Sequence, residues 1–356
     1  MTTIAHDSVE VTGGVDTHKD THTVVAVDMT GRVLGTAQFP ANSAGYARLL
    51  SWLRSFGTLV LVGVEGTGVY GSGLVRYLTA ERTAIVEVDR PNRATRRRRG
   101  KSDPIDAEAA AQAALSARGT SIPKDRDGRV EALRNLRVAR RSAITQRADT
   151  QRRMKALIVT APDTLRQRLR ALSDRQLIHT CATTRPDRTR AADPTIATTL
   201  ALRHLARRHQ QLTTDITELD DLIAPLVHAI NPHLCHLSGV GPDVAGQLLV
   251  TAGDNTHRLH SEAAFAMLCG AAPLPASSGN THRHRLNRGG DRQANAALHR
   301  IALCRLRWDH HTRNYAQQRT HQGKTKKEII RCLKRYIARE IYNTLNQTTP
   351  HTPRHP

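Results

Sequence analysis

The sequence predicts an α/β domain at its N-terminal end, a helical coiled-coil middle and a mainly α C-terminal domain. Three observations carry this. Strand-like and helix-like patterns alternate from residue 9 to 120, an alternating 4-3 apolar spacing runs from Leu212 to Ile230, and the last long stretch, KTKKEIIRCLKRYIAREIYNTL, has the pattern of a basic helix.

In the first region Val11 to Val15, His22 to Asp28 and Val33 to Phe39 read as strands, the last two joined by the turn MTGR. Ser43 to Phe56 has helical spacing through Tyr46, Leu49, Leu50 and Leu53. LVLVGVEG then forms a short continuous apolar run, the pattern of a strand buried on both faces. Tyr70 to Arg82 reads as a helix and TAIVEVD as a further strand; after the basic loop PNRATRRRRGKS an Ala-rich helix begins near Pro104. The order β-β-β-α-β-α-β-α is that of a ribonuclease H-like fold.

Residues 128 to 230 look helical and polar. Leu212, Ile216, Leu219, Ile223, Leu226 and Ile230 form the seam of a coiled coil, interrupted by Pro225. TTRPDRTRAADPT, with two prolines and little apolar content, predicts the turn between two long helices. Such a hairpin can close on itself or pair with another copy. The predicted boundaries are 1–125, 126–232 and 233–346, with 347–356 as a disordered tail.

Lysine and arginine number 53 against 31 aspartates and glutamates, and the net charge of +22 is spread along the 356 residues. A field of that sign favours polyanions. No apolar run approaches the ~20 residues of a membrane span and no leader pattern opens the chain, so a cytoplasmic protein without membrane contact is expected. Five widely spaced cysteines without a C-x-x-C pair indicate neither a disulfide framework nor a zinc ribbon. Aromatic residues are only 3%, too few for a broad stacking platform, so nucleic-acid contacts should be mainly ionic.

Within this basic chain, Asp16 and Glu65 fall at the carboxyl ends of two predicted strands, the rim where ligands of open α/β sheets collect. Two carboxylates there repel each other unless a cation lies between them, and a hard divalent ion, Mg²⁺ or Mn²⁺, suits oxygen donors and a phosphate substrate. Asp103 and Asp106, three apart in KSDPIDAEAA, share a helix face. Asp103 before Pro104 also reads as an N-cap, and Asp106 suits the helix dipole. Four carboxylates at one rim fit two-metal phosphoryl chemistry. A zinc site on Asp16, His18, Asp20 and His22 is a rival. An actin-like phosphate loop is another, but it needs small residues where His18 and Lys19 stand.

LSGVGPDVAGQLL looks like a helix-hairpin-helix element, with Gly239 and Gly241 allowing a tight turn whose amides can hold a phosphate. Ser277 and Ser278 precede an arginine-rich stretch with Arg283, Arg285, Arg288 and Arg292, residues suited to bidentate phosphodiester contacts. Arg96, Arg97, Arg98, Arg99 and Lys101, and Lys324, Lys326 and Lys327 near the end, complete the candidate nucleic-acid contacts.

Asp16, Glu65 and DPIDAEA, then SGVGP, then SSG with NRGGDRQANAALHR, and the closing GKTKKEIIRCLKRYIAREIY, in that order, resemble the IS110 family of insertion-sequence transposases. The resemblance implies a RuvC-like DEDD domain with Asp16, Glu65, Asp103 and Asp106 as a tetrad for Mg²⁺ or Mn²⁺. It implies that Ser278, or its neighbour Ser277, forms a covalent phosphoserine link to DNA. It further implies donor and target DNA as substrates, a noncoding guide RNA (a bridge RNA), and a homo-oligomer, dimer to tetramer, in which one subunit's carboxylates face another's serine. Two other functions stay open on the residues themselves: a junction nuclease that uses water, and a non-enzymatic binding protein.

Overall fold

The computed structural model describes residues 9–88, 102–280 and 284–347. Their contacts form two compact units, residues 9–130 with 252–265, and residues 131–251 with 266–347. Among the described residues no helix is long and apolar enough to cross a membrane. All five cysteines are free.

The first unit is built on a six-stranded sheet of order β3-β2-β1-β4-β5-β6. Its strands are β1 (Glu10–Thr17), β2 (Thr21–Asp28), β3 (Val33–Pro40), β4 (Thr58–Glu65), β5 (Ile85–Val88) and β6 (Thr120–Ser121). β1 runs antiparallel to β2 and parallel to β4, and β4 runs parallel to β5. One face packs Val11, Val15, Val62 and Val64 against Leu49 and Leu53 of α1 (Ser43–Arg54) and Leu74 and Leu78 of α2 (Ser72–Ala80).

The other face receives α3 (Asp103–Leu115), which buries Ala107, Ala110, Ala111 and Ala114. Alanine on the helix meets glycine on the strands. A Cβ on Gly14 would fall on the Ala111 amide nitrogen and the Ala107 carbonyl oxygen, and one on Gly63 would lie 2.7 Å from the Ala110 carbonyl. Gly14 pairs with Gly63 in the β1–β4 register, so helix and sheet touch backbone to backbone there. Gln112 pins the helix further by donating from Nε2 to the Gly31 carbonyl at 2.6 Å.

The cap of α3 differs from the sequence expectation. Ser102 is its N-cap and Asp103 the first helical residue, with Pro104 following. Proline is tolerated throughout the first helical turn, where amides lack intrahelical acceptors, so Asp-Pro did not by itself set the boundary.

In the second unit the long helices are α4 (Arg129–Val159) and α7 (Pro194–Ile230). The expected turn at TTRPDRTRAADPT does not join them directly, because α5 (Asp163–Arg170) and α6 (Asp174–Thr183) intervene. Their Leu165, Leu169 and Leu177 bury with Met154 of α4 and Leu202 of α7 in a separate cluster. α4 and α7 meet within one chain through Ala143, Leu212 and Ile216, and α7 continues through Pro225.

The unit continues with α8 (Pro232–His236), α9 (Pro242–Ala252), the end of α10 (Glu262–Leu268), α11 (Arg292–Trp308), α12 (His310–His321) and α13 (Lys326–Gln347). β7 (Leu274–Pro275) and β8 (His284–Arg285) form a small antiparallel pair. Asp243 of α9 bonds Arg137 Nη1 at 2.9 Å, Arg140 Nη1 at 3.1 Å and Arg300 Nη1 at 2.7 Å. Burial pushes the Asp243 carboxyl up, but Arg137 and Arg300 outweigh it and hold the group below the usual carboxylate range.

Two stability outcomes follow from these contacts. Gly14→Ala should lower stability by about 3 kcal/mol through overpacking, whereas Gly241→Ala, with nothing within 4 Å of a new Cβ, should change it little; thermal unfolding of the two variants checks this. Asp243→Asn should destabilise by about 3 kcal/mol, since it leaves Arg137 buried without its charge partner. The folded carboxyl of Asp243 is depressed below its ordinary value, so its stabilisation is present above that ordinary value and lost as pH falls through the lower folded one. Acid titration of wild type and Asp243→Asn should therefore converge only once the pH has fallen past that depressed folded value.

Candidate functional site

Strand pleating decides where the carboxylates go. Residues two apart share a face, so Asp16 lies on the side of Gly14 and Glu65 on the side of Gly63, the side covered by α3. Continuing the register from Val15↔Val64 sets Asp16 beside Glu65 at the ends of parallel neighbours. The Thr17 hydroxyl donates to the Glu65 carbonyl at 2.8 Å and ties the two ends together. Gly66, at φ +74°, then turns the chain away.

α3 enters over the same rim. Asp103 and Asp106 lie in its first turn, three apart, and Asp106 is buried with Asp16 and Glu65 while Asp103 stays half-exposed. Asp16 and Glu65 thus end strands on the sheet face that α3 covers, and Asp103 and Asp106 open that helix. Their first-turn positions also complement the helix dipole, so α3 is stabilised by the same residues.

His18 joins them. The turn after β1, closed by the His18 amide donating to the Thr21 carbonyl at 3.1 Å, folds the ring back over the strand end. Its Nδ1 lies 3.6 Å from Asp16 Oδ2 and its Nε2 3.9 Å from Asp103 Oδ1. Ligand atoms of Asp16, His18 and Asp103 all lie within 4.8 Å of one another, a spacing one ion can bridge. Two carboxylates and an imidazole fit Mn²⁺ and, through the oxygens, Mg²⁺. The alternating set that a zinc site requires is not assembled. His22 pairs with Thr17 rather than Asp16, points to the opposite face and stacks on Tyr46 at 5.6 Å. Burial lowers its pKa, as expected for an apolar core.

In the second unit Ser277 and Ser278 are exposed between β7 and β8, followed by Gly279 at φ +53°. The base of this hairpin is held firmly. Asn295 Nδ2 donates to the carbonyls of Cys269 and Gly270, both at 2.9 Å, and the Asp291 amide donates to the Leu268 carbonyl at 2.7 Å. Gly290 sits against the Gly270 backbone, where a side chain would not fit.

Arg285, Arg288 and Arg292 are exposed on this stretch, as are Lys326 and Lys327 at the start of α13, with Lys324 half-buried. Gly239 adopts φ +75° in the turn between α8 and α9, and Arg305 Nε donates to the Ser238 carbonyl at 2.8 Å. Arg96, Arg97, Arg98, Arg99, Lys101 and Arg283 lie outside the described residues. Sequence reasoning did not single out Arg331, Lys334, Arg335, Tyr336 and Arg339 on α13, which line a cavity beside β8. Their basic four-residue spacing was visible, but it is also the pattern of a solvated helix face.

Comparison with known proteins adds two matches and a relative. Residues 13–161, containing Asp16, Glu65, Asp103 and Asp106, match a family model for the DEDD domain of IS110-type elements, described as a transposase. Residues 231–317, containing both serines, match the transposase IS116/IS110/IS902 family. An insertion element IS110 uncharacterized 43.6 kDa protein of Streptomyces coelicolor is 31% identical over 164 residues, a stretch spanning 46% of this chain and 38% of that protein.

Metal binding is directly measurable at this site. Mn²⁺ should raise the melting temperature of wild type, Asp16→Asn should abolish that rise, and His18→Ala should diminish the response to Mn²⁺ more than to Mg²⁺. An Asp16→Asn protein that still gains stability from Mn²⁺ would move the ion elsewhere.

Proposed function

The chain belongs to the IS110 family of insertion-sequence transposases, and from that premise we propose that it joins donor and target DNA by divalent-metal-dependent strand exchange through a phosphoserine intermediate. The observation that carries this reading is the gathering of Asp16 and Glu65, adjacent on parallel strands, under the Asp103–Asp106 turn of α3. The strand order β3-β2-β1-β4-β5, with its first three strands antiparallel, supports the ribonuclease H or RuvC-like assignment.

Asp16, Glu65, Asp103 and Asp106, with His18 at the edge, would hold Mg²⁺ or Mn²⁺. Bound there, the ions supply charge stabilisation for a pentacovalent phosphorus and lower the pKa of a coordinated hydroxyl. Ser278 Oγ attacks the phosphorus of a DNA phosphodiester as its proton passes to a base. A serine–phosphate ester forms, one P–O bond to deoxyribose breaks, and the departing oxygen takes a proton to become a hydroxyl. A hydroxyl from another strand then reverses the exchange and releases the serine. Each step trades one phosphodiester for another, so no external energy source is needed.

An exposed serine suits this role, because DNA must approach it, and the arginines at 285, 288 and 292 would neutralise the non-bridging oxygens. Ser277 is the neighbouring alternative. The Gly239–Gly241 turn would hold a phosphate in the manner of a helix-hairpin-helix. Sequence choice would fall to a bridge RNA, consistent with a chain of few base-reading motifs. Assembly into a dimer or tetramer would present one copy's carboxylates to another copy's serine, in the cytoplasm where the element's DNA lies.

The test is to express the protein with its flanking DNA, denature it, and search for a nucleotide adduct on the peptide holding Ser277 and Ser278. An adduct in wild type is expected, with loss in Ser278→Ala and a fall of roughly a hundredfold or more in Asp16→Asn. Cut DNA without any adduct would replace this reading with a nuclease that uses water.

A further inference from the structure

The second unit contains a cavity of about 750 Å³ between the hairpin strands and α13. Arg285, Lys324, Arg331, Lys334, Arg335 and Arg339 line it, and Glu328 is the one acidic residue among its described walls. Glu328 is already engaged: its Oε2 accepts from the Thr325 hydroxyl at 2.7 Å and the Thr325 amide at 2.9 Å, capping α13. Basic side chains therefore outnumber acidic ones among the described walls.

Lys334 is the innermost of these cations. It is only 7% exposed, yet its three N–H donors meet a single protein acceptor, Asn295 Oδ1 at 2.8 Å. Burial lowers its pKa, so an anion in the cavity would both satisfy the remaining donors and restore the charge. Arg331, Arg335 and Arg339 follow one another at four-residue spacing along the same face of α13.

Tyr336 adds a different chemistry. Its ring is 52% exposed, lines the cavity, and meets Tyr315 edge-on, 5.7 Å between centroids with the planes at 86°. An aromatic ring held by its edge within a row of cations is a platform for a nucleobase whose phosphates lie on those cations. The cavity is half open, and its volume suits a few nucleotides of one strand.

We propose that this cavity grips a short stretch of single-stranded nucleic acid, with phosphates on Lys334 and the α13 arginines and a base on Tyr336. The proposal rests on the transposase reading for its setting, since strand exchange exposes unpaired ends. Lys334 also links the cavity to the serine hairpin. It bonds Asn295, whose amide clamps the Cys269 and Gly270 carbonyls at the hairpin base. A strand in the cavity would thus bear on the element that carries Ser278.

Fluorescence anisotropy of the full chain with labelled single-stranded DNA of about a dozen nucleotides, RNA of the same sequence, and the matching DNA duplex tests this. Tyr336→Ala should weaken single-strand binding by roughly five- to a hundredfold. Arg331→Gln should reduce the salt slope by about 0.7. Lys334→Met should weaken it as well, while duplex affinity changes less than about twofold in all three. Tighter binding of DNA identifies the substrate strand as occupant and tighter binding of RNA identifies a guide; either supports the cavity. Unchanged single-strand affinity in Tyr336→Ala and Arg331→Gln, both exposed positions, overturns it, as does equal weakening of single strand and duplex. Such a failure in a protein that still forms the serine adduct would leave the transposase reading standing.

Discussion

The close approach of α3 to β1 and β4 is the constraint on which the candidate site depends. Gly14 and Gly63 leave β1 and β4 without side chains where α3 crosses them, Ala107, Ala110, Ala111 and Ala114 leave only methyls on the helix, and Val25 and Val27 of β2 pack beside the crossing. Helix and sheet then meet through their backbones, and the first turn of α3 reaches the rim where Asp16 and Glu65 end their strands. A bulkier residue at Gly14 would displace that turn and separate Asp103 and Asp106 from their partners. Small residues here act as spacers of zero length.

Bringing like charges together has an electrostatic cost that the surroundings reduce in three ways. The N-terminal dipole of α3 favours the two aspartates in its first turn. The His18 ring lies between Asp16 and Asp103. The same geometry also admits a divalent ion, which would offset the repulsion most effectively because it carries the largest local charge. A site held together against its own repulsion is poised to bind whatever cation and phosphate arrive.

The serine hairpin solves the opposite problem. Its tip is exposed and its base is rigid, with Asn295, Asp291 and the Gly270–Gly290 contact tying it to α11 and the end of α10. The unit beneath is held by charge as well as by packing, since Asp243 gathers guanidiniums from α4 and α11 around one half-buried carboxylate. Accessibility at the serines and fixity at the base would suit the role proposed for Ser278.

Much of this was legible in the residues. A continuous apolar run located β4 because a strand buried on both faces must be apolar, β1 and β2 were found as shorter strand-like patterns, and Asp16, Glu65, Asp103 and Asp106 could be assigned to strand ends and a helix start because those are local features. The long α7 was legible from its apolar spacing although the sequence marked a break at Pro225 that the helix does not show, and α5 and α6 were missed, since eight- and ten-residue helices show too few periodic positions to stand out from a polar background. Local patterns are set by neighbours within a turn or a pleat, and the sequence by itself determined those: the strands, the long helices, the charge, and which residues can bear chemistry. Only the tertiary structure decided that His18 joins Asp16 and Asp103 while His22 faces away, and that Lys334 is the floor of a cavity and not one more solvated cation. These depend on what another element brings to within a few ångströms, and that distance is written in no single stretch of chain.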